Sequence, residues 1–321
     1  MSDTQSRSQT ANKVRPAQNR YAGVTVAMIT PCTAAGDIDF AAIRRCTAEA
    51  TARGCDGIFV VSSTGGMPFL DEPDRLKIIA AARQACPREK TLYAGISGMG
   101  IAQTLRYAKQ AAAEGADAAV VMSPFFLRLS QKELLSYLTD VADGCPIPVC
   151  LYHHVAMPTP IEVDTVAKIA GHPNVVAMKD TSGQLDRMQQ LVAATRDTSL
   201  VLLQGNEPIY LATLEAGGHG CVSALAGVAP EWHYRLQFAF SRSDLPEARS
   251  FQEKITSLWK MFELPHLKRS YSYFARSLAI AARHRGWCES ANSVAPRAEN
   301  DPEFDALVEA HLKSCGLPAG R

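Results

Sequence analysis

A lysine that closes an otherwise apolar segment is the residue in this chain that most asks for a chemical reason. Residues 174–179 read Asn174-Val175-Val176-Ala177-Met178-Lys179 and run on into Asp180-Thr181-Ser182-Gly183. On a strand, alternate side chains share a face, which groups Val175, Ala177 and Lys179. Removing an ammonium from water favours the neutral amine, and a neutral amine attacks carbonyl carbon. Schiff-base chemistry is thus one reading of Lys179. The other is a side chain that snorkels to a rim or pairs with Asp180.

Nearby patterns bear on that choice. Pro148-Val149-Cys150-Leu151-Tyr152 ends in a tyrosine whose parity matches Cys150, so its phenol can point into the same space and move protons. A tyrosine there can equally be a core residue with a satisfied hydroxyl. Ser62-Ser63-Thr64-Gly65-Gly66 offers hydroxyls and consecutive backbone N–H groups, which suit a carboxylate but also make an ordinary turn. His153 and His154 follow the tyrosine. Adjacent strand residues face opposite sides, and no Cys, Asp or Glu joins them at ligand spacing, so no metal is expected. His153 reads instead as a pocket residue, with a structural hydrogen bond as the alternative.

Such groups converge only if the chain is folded to bring strand ends together. Short apolar strand candidates fall at 24–29, 57–62, 91–96, 117–122, 148–152, 174–179, 199–204 and 220–223, separated by stretches of helical period such as 40–53, 76–86, 102–114 and 132–141. Glycines after helices and before strands, as in Glu114-Gly115-Ala116-Asp117, fit left-handed helix ends. Eight such units predict an α/β fold, a (β/α)8 TIM barrel, whose active groups sit at the C-terminal strand ends. A doubly wound open sheet fits less well, because no G-x-G-x-x-G follows the first strand. Further helices are expected at 246–262, 266–284 and 302–315. The expected organisation is a flexible leader at 1–20, the barrel at 21–240 and a C-terminal helical addition at 241–321, packed on the barrel or on a neighbouring subunit.

The balance of 33 basic and 32 acidic residues provides no basic stripe for a nucleic acid, and no apolar run reaches the ~18 residues of a spanning helix. The leader is polar and basic without an apolar core, which argues against a secretory signal; a transit peptide is the alternative to a plain leader. Nine scattered cysteines without a C-x-x-C pair read as reduced, mostly buried thiols of a cytoplasmic protein.

The ordered set Thr30-Pro31, Ser63-Thr64-Gly65, Ser123-Pro124-Phe125-Phe126, Leu151-Tyr152 and Met178-Lys179-Asp180-Thr181-Ser182-Gly183 resembles the dihydrodipicolinate synthase / N-acetylneuraminate lyase family over roughly residues 21–285. The resemblance implies a barrel, a homotetramer, no cofactor, and a Schiff base between lysine and pyruvate or a pyruvyl group. It implies that Lys179 is the Schiff-base lysine and Tyr152 the proton carrier. Ser63 and Thr64, with Gly65, would hold the 2-oxo acid carboxylate, and the backbone of Val222 would face the pyruvyl group. Departures sort the branches. Met157 stands where synthases carry a carboxylate-binding arginine, and Phe126 lacks the hydroxyl of a relay tyrosine. Gly66 replaces an acidic residue, and in Gly205-Asn206-Glu207-Pro208 only Glu207 is left to bind sugar hydroxyls. The expected substrates are a small 2-oxo acid and an aldehyde, in aldol cleavage or condensation nearer the lyase and sugar-acid aldolase branch. Candidate substrate-binding residues are Ser63, Thr64, Gly65, Phe126, His153, Gly205, Glu207 and Val222. Dehydration of a 2-oxo-3-deoxy sugar acid through the same iminium is the alternative. The lysine-pathway 4-hydroxy-tetrahydrodipicolinate synthase ranks below both, beside a non-catalytic 2-oxo-acid-binding homologue.

Overall fold

The structure, a computed structural model, describes residues 19–264, 270–294 and 301–320. Eight strands form a closed parallel barrel: β1 (Gly23–Ala27), β2 (Gly57–Val60), β3 (Thr91–Gly95), β4 (Ala118–Met122), β5 (Val149–His153), β6 (Val175–Asp180), β7 (Val201–Gln204) and β8 (Gly220–Ser223). Their residues are almost all buried, as a strand covered on both faces requires. Helices α1 (Phe40–Ala52), α2 (Glu72–Ala85), α3 (Ile101–Ala113), α4 (Gln131–Gly144), α5 (Val163–Ile169), α6 (Leu185–Thr195), α7 (Tyr210–Glu215) and α8 (Pro230–Ser241) follow the strands in turn. The expected TIM barrel is the observed fold.

Local chemistry sets the helix starts. Asp39, Asp71 and Asp244 accept backbone N–H groups at the heads of their helices, and Ser130 with Glu133 closes a reciprocal capping box. Helix α2 begins four residues before the expected position 76, because Asp71 caps it and Pro73 fits the first turn.

Beyond the barrel, α9 (Leu245–Trp259), α10 (Tyr271–His284) and α11 (Pro302–Ser314) complete the described helices. The expected helix at 266–284 starts in residues 265–269, which lie outside the described residues, as do residues 1–18 of the expected leader. A link absent from the sequence reading ties this addition down: Asn292–Ser293 pairs antiparallel with Pro31–Cys32, just after β1. Helix α10 is thereby held over the C-terminal end of the barrel. Arg276 on α10 forks onto Asp305 of α11 at 2.6 and 2.7 Å, joining the last two helices. No helix among the described residues is long and apolar enough to cross a membrane. Eight cysteines are buried and Cys315 is partly buried.

Candidate active site

Register brings the lysine and the tyrosine together. Tyr152 and Lys179 are direct partners across β5 and β6, so their side chains leave the sheet on the same side. Lys179 is 3% exposed, yet its amine has no ion-pair or hydrogen-bond partner among the described residues. It lies 4.2 Å from the centre of the Tyr152 ring and 5.6 Å from that of Phe59. Asp180, the alternative partner, faces elsewhere: one carboxylate oxygen takes Arg187 Nε at 2.7 Å and the other takes the Ser182 N–H at 2.8 Å. Nothing therefore holds the amine away from an incoming carbonyl.

Gly205 leaves room for it. A methyl group there would stand 2.9 Å from Lys179 Cε and 2.4 Å from Thr181 Cγ2, so β7 can pass the lysine stem only without a side chain. The Tyr152 phenol lies 3.0 Å from Ser63 Oγ, a hydrogen bond between groups 89 residues apart. Ser63 is presented by strain: Val61, a β-branched residue, adopts a left-handed φ of 53°, at a cost of about 1–3 kcal/mol. Its carbonyl then turns over β3, where only glycine fits, because a methyl group on Gly95 would sit 2.0 Å from that oxygen. The strain ends β2 at Val60, short of the expected 62, and turns Ser63 and Thr64 toward the lysine.

Lys179, Tyr152, Ser63, Thr64, Gly205, Glu207 and Val222 share one cavity of about 220 Å³ at the C-terminal barrel end. A larger cleft of about 370 Å³ lies apart from the lysine, beside α10. Its arginines, Arg276 and Arg283, are already paired with Asp305 and Glu309.

Three expected site residues are not brought to the lysine cavity. Gly65 spends its N–H inside the turn on Ser62 Oγ at 3.0 Å. Phe126 has a left-handed φ of 74° and is 85% exposed, its ring carried out to solvent. His153 is buried on the other side of β5 and accepts the Ile161 N–H on Nδ1; burial pushes its pKa down against the pull of Asp180. His154 takes the pocket position instead, edge-on to Tyr152 with ring centres 5.4 Å apart. Burial, then Lys179 and His153, push His154 down to about 4, so its ring is neutral at physiological pH.

Glu207 is present with a different task. It is 3% exposed, and its Oε1 accepts from Ser223 Oγ and the N–H groups of Ala224 and Leu225 at 2.9, 2.9 and 3.2 Å. Three donors on one oxygen pin the turn after β8 and with it the backbone at Val222. Burial raises the Glu207 pKa against these donors and Lys179.

Sequence reading missed the roof. Trp259 at the end of α9 and Tyr271 and Phe274 on α10 line the cavity opposite the strands, and Tyr271 Oη donates to the Thr64 carbonyl at 3.0 Å. The aromatic density of residues 259–274 was the available signal.

The model of the Dihydrodipicolinate synthetase family matches residues 20–313. The chain belongs to that family. The 4-hydroxy-tetrahydrodipicolinate synthase of Mycolicibacterium paratuberculosis is 32% identical over 74% of this chain and 79% of that protein. The enzyme of the same name from Acidiphilium cryptum is 31% identical over 74% and 82%. Among solved structures, dihydrodipicolinate synthase from Aquifex aeolicus superposes with a TM-score of 0.83 at 26% identity over 94% of this chain and 100% of that one. The E. coli K12 prophage protein YagE, in complex with pyruvate, gives 0.86 at 23% identity over 93% and 99%, a likeness of fold. Members of the family are lyase-type enzymes that work through a lysine Schiff base, and the chain is an enzyme of that type. Its activity is pyruvate-dependent and of aldolase kind. The names of these relatives lean toward the synthase, against the leaning to the lyase branch expected from the departures.

Proposed function

We propose that Lys179 forms the Schiff base with pyruvate and that Tyr152, relayed through Ser63, moves the protons of a carbon–carbon bond-forming or bond-breaking step. The observation that carries this reading is a buried amine without a partner, beside a tyrosine whose phenol is hydrogen-bonded to Ser63 in the same cavity. The amine adds to the pyruvate C2 carbonyl and water leaves, giving an iminium. Loss of a C3 proton to the Tyr152–Ser63 pair gives the enamine. C3 then bonds to an aldehyde carbon, the aldehyde oxygen takes a proton, and water releases the 4-hydroxy-2-oxo acid and the free lysine. Ser63 and Thr64 hold the pyruvate carboxylate, and the turn pinned by Glu207 presents the Val222 backbone.

A second reading, the lysine-pathway synthase, is favoured by the names of the relatives. It requires a carboxylated aldehyde, and Met157 stands where the family resemblance implies a carboxylate-binding arginine. We also propose a homotetramer, for which Phe126, Leu127 and Val155, at 85, 67 and 63% exposed, supply apolar surface to cover. A cytoplasmic location is proposed on the scatter of the cysteines, which show no C-x-x-C pair and are mostly buried.

The test needs no acceptor. Pyruvate incubated with the enzyme in D2O should gain deuterium at its methyl group, followed by proton NMR, and Lys179→Ala should abolish the wash-in. Wash-in by Lys179→Ala at the native rate would overturn the proposal.

A further inference from the structure

The part of the cavity not needed for pyruvate has a chemistry of its own. Its roof is Trp259, Tyr271 and Phe274, and the indole and phenyl groups offer no charge. Tyr271 spends its hydroxyl on the Thr64 carbonyl at 3.0 Å. No arginine, and no lysine other than Lys179, lines the cavity among the described residues, so a second carboxylate finds no counter-charge. It would instead meet the carboxylate of Glu207, which lines the same cavity. A polyhydroxylated chain fares poorly too, because it needs several acceptors and donors. The Thr181 hydroxyl is already given to the His153 carbonyl at 3.0 Å, and Ser63 is engaged with Tyr152. Burying hydroxyls without partners is costly.

His154 carries an unspent donor at this cavity. His154 Nδ1 accepts the Ala156 N–H at 3.1 Å, which places the ring hydrogen of neutral imidazole on Nε2. That hydrogen has no acceptor among the described residues, and the ring stands beside Tyr152. A neutral donor next to the proton carrier suits one oxygen of a neutral electrophile. The cavity size agrees: about 220 Å³ in total, where about 150 Å³ takes a benzene ring.

Building on the Schiff-base reading, we infer that the acceptor is an uncharged aldehyde bearing an apolar, ring-sized group, with His154 Nε2 donating to its carbonyl oxygen and Trp259 and Phe274 covering its ring. The pyruvate enamine supplies the electron pair for the new bond, the aldehyde π pair moves to oxygen, and Tyr152 delivers the proton. No oxidant or further reactant enters. The same step run backward cleaves a 4-aryl-4-hydroxy-2-oxo acid to pyruvate and an aryl aldehyde.

The experiment compares benzaldehyde, succinic semialdehyde and glyceraldehyde as acceptors with pyruvate on the full-length enzyme, with deuterium wash-in measured in parallel. Benzaldehyde should exceed the other two in kcat/KM by about 100-fold or more, the scale on which a site rejects groups it leaves unpaired. Trp259→Ala should raise the KM for benzaldehyde at least about tenfold with a smaller change in kcat, a split that loss of folding alone would not produce. His154→Leu should lower kcat/KM for benzaldehyde more than it lowers wash-in. Equal or better use of either polar aldehyde overturns the inference, as does wash-in without reaction of benzaldehyde; both leave the Schiff-base reading standing. Absence of wash-in overturns both.

Discussion

Replacing Tyr152 by phenylalanine removes one oxygen and keeps the ring. The edge-to-face contacts to Phe59, at 6.3 Å between centres, and to His154, at 5.4 Å, remain. What is lost is the 3.0 Å bond to Ser63, worth about 0.5–1.5 kcal/mol of net stability, so the variant should fold. The kinetic loss is larger. A positioned acid–base group contributes about 10²–10⁴-fold, which at 1.36 kcal/mol per tenfold is about 2.7–5.4 kcal/mol of barrier. Wash-in of deuterium into pyruvate reads that barrier without an acceptor, and borohydride trapping reads the iminium separately. Tyr152→Phe should slow wash-in by that factor while still giving a trapped adduct. Wash-in within about threefold of the native rate would refute the assignment of proton transfer to Tyr152.

Gly205→Ala should displace the lysine stem, lowering stability by about 1–3 kcal/mol in urea unfolding and slowing borohydride trapping, because the methyl group meets Lys179 Cε at 2.9 Å. Arg187→Ala should cost about 3–5 kcal/mol in the same assay, since Asp180, 2% exposed, is left buried without its counter-ion. Acid should weaken the fold before carboxylates matter. His154 and His233 are held down to about 4 from 6.5, both by burial first, so the unfolded chain binds protons in that window that the folded chain does not. Stability is present above pH 6.5 and falls as pH drops toward 4, by about 3 kcal/mol or less for each histidine, with Glu207, raised by burial, working the other way. Urea midpoints unchanged between pH 7 and 5 would contradict this.

What the sequence made legible is what short-range periodicity controls. The two-residue alternation of a strand placed Lys179 and Tyr152 on one side, and the register of β5 against β6 makes them neighbours. The same alternation sends His153 to the opposite side from Tyr152 and returns His154 to the cavity, so the pocket histidine was readable but assigned to the wrong member of the pair. Phe126 was beyond reach of pattern, since a left-handed φ in a non-glycine residue turns its ring outward. So was the roof. Trp259, Tyr271 and Phe274 come from helices distant in sequence, held over the mouth through the pairing of Asn292–Ser293 with Pro31–Cys32, and two paired residues leave no periodic trace. Glu207 was visible as a carboxylate, but its three donors in the turn after β8 belong to tertiary structure.

In the proposed mechanism, Lys179 becomes covalently bonded to pyruvate. Intact-protein mass spectrometry after incubation with pyruvate and borohydride, followed by peptide mapping, tests it most directly. One reduced pyruvyl adduct per chain is expected, on Lys179 and absent from Lys179→Ala. An adduct on another lysine, or none at pyruvate concentrations that support deuterium wash-in, would contradict it.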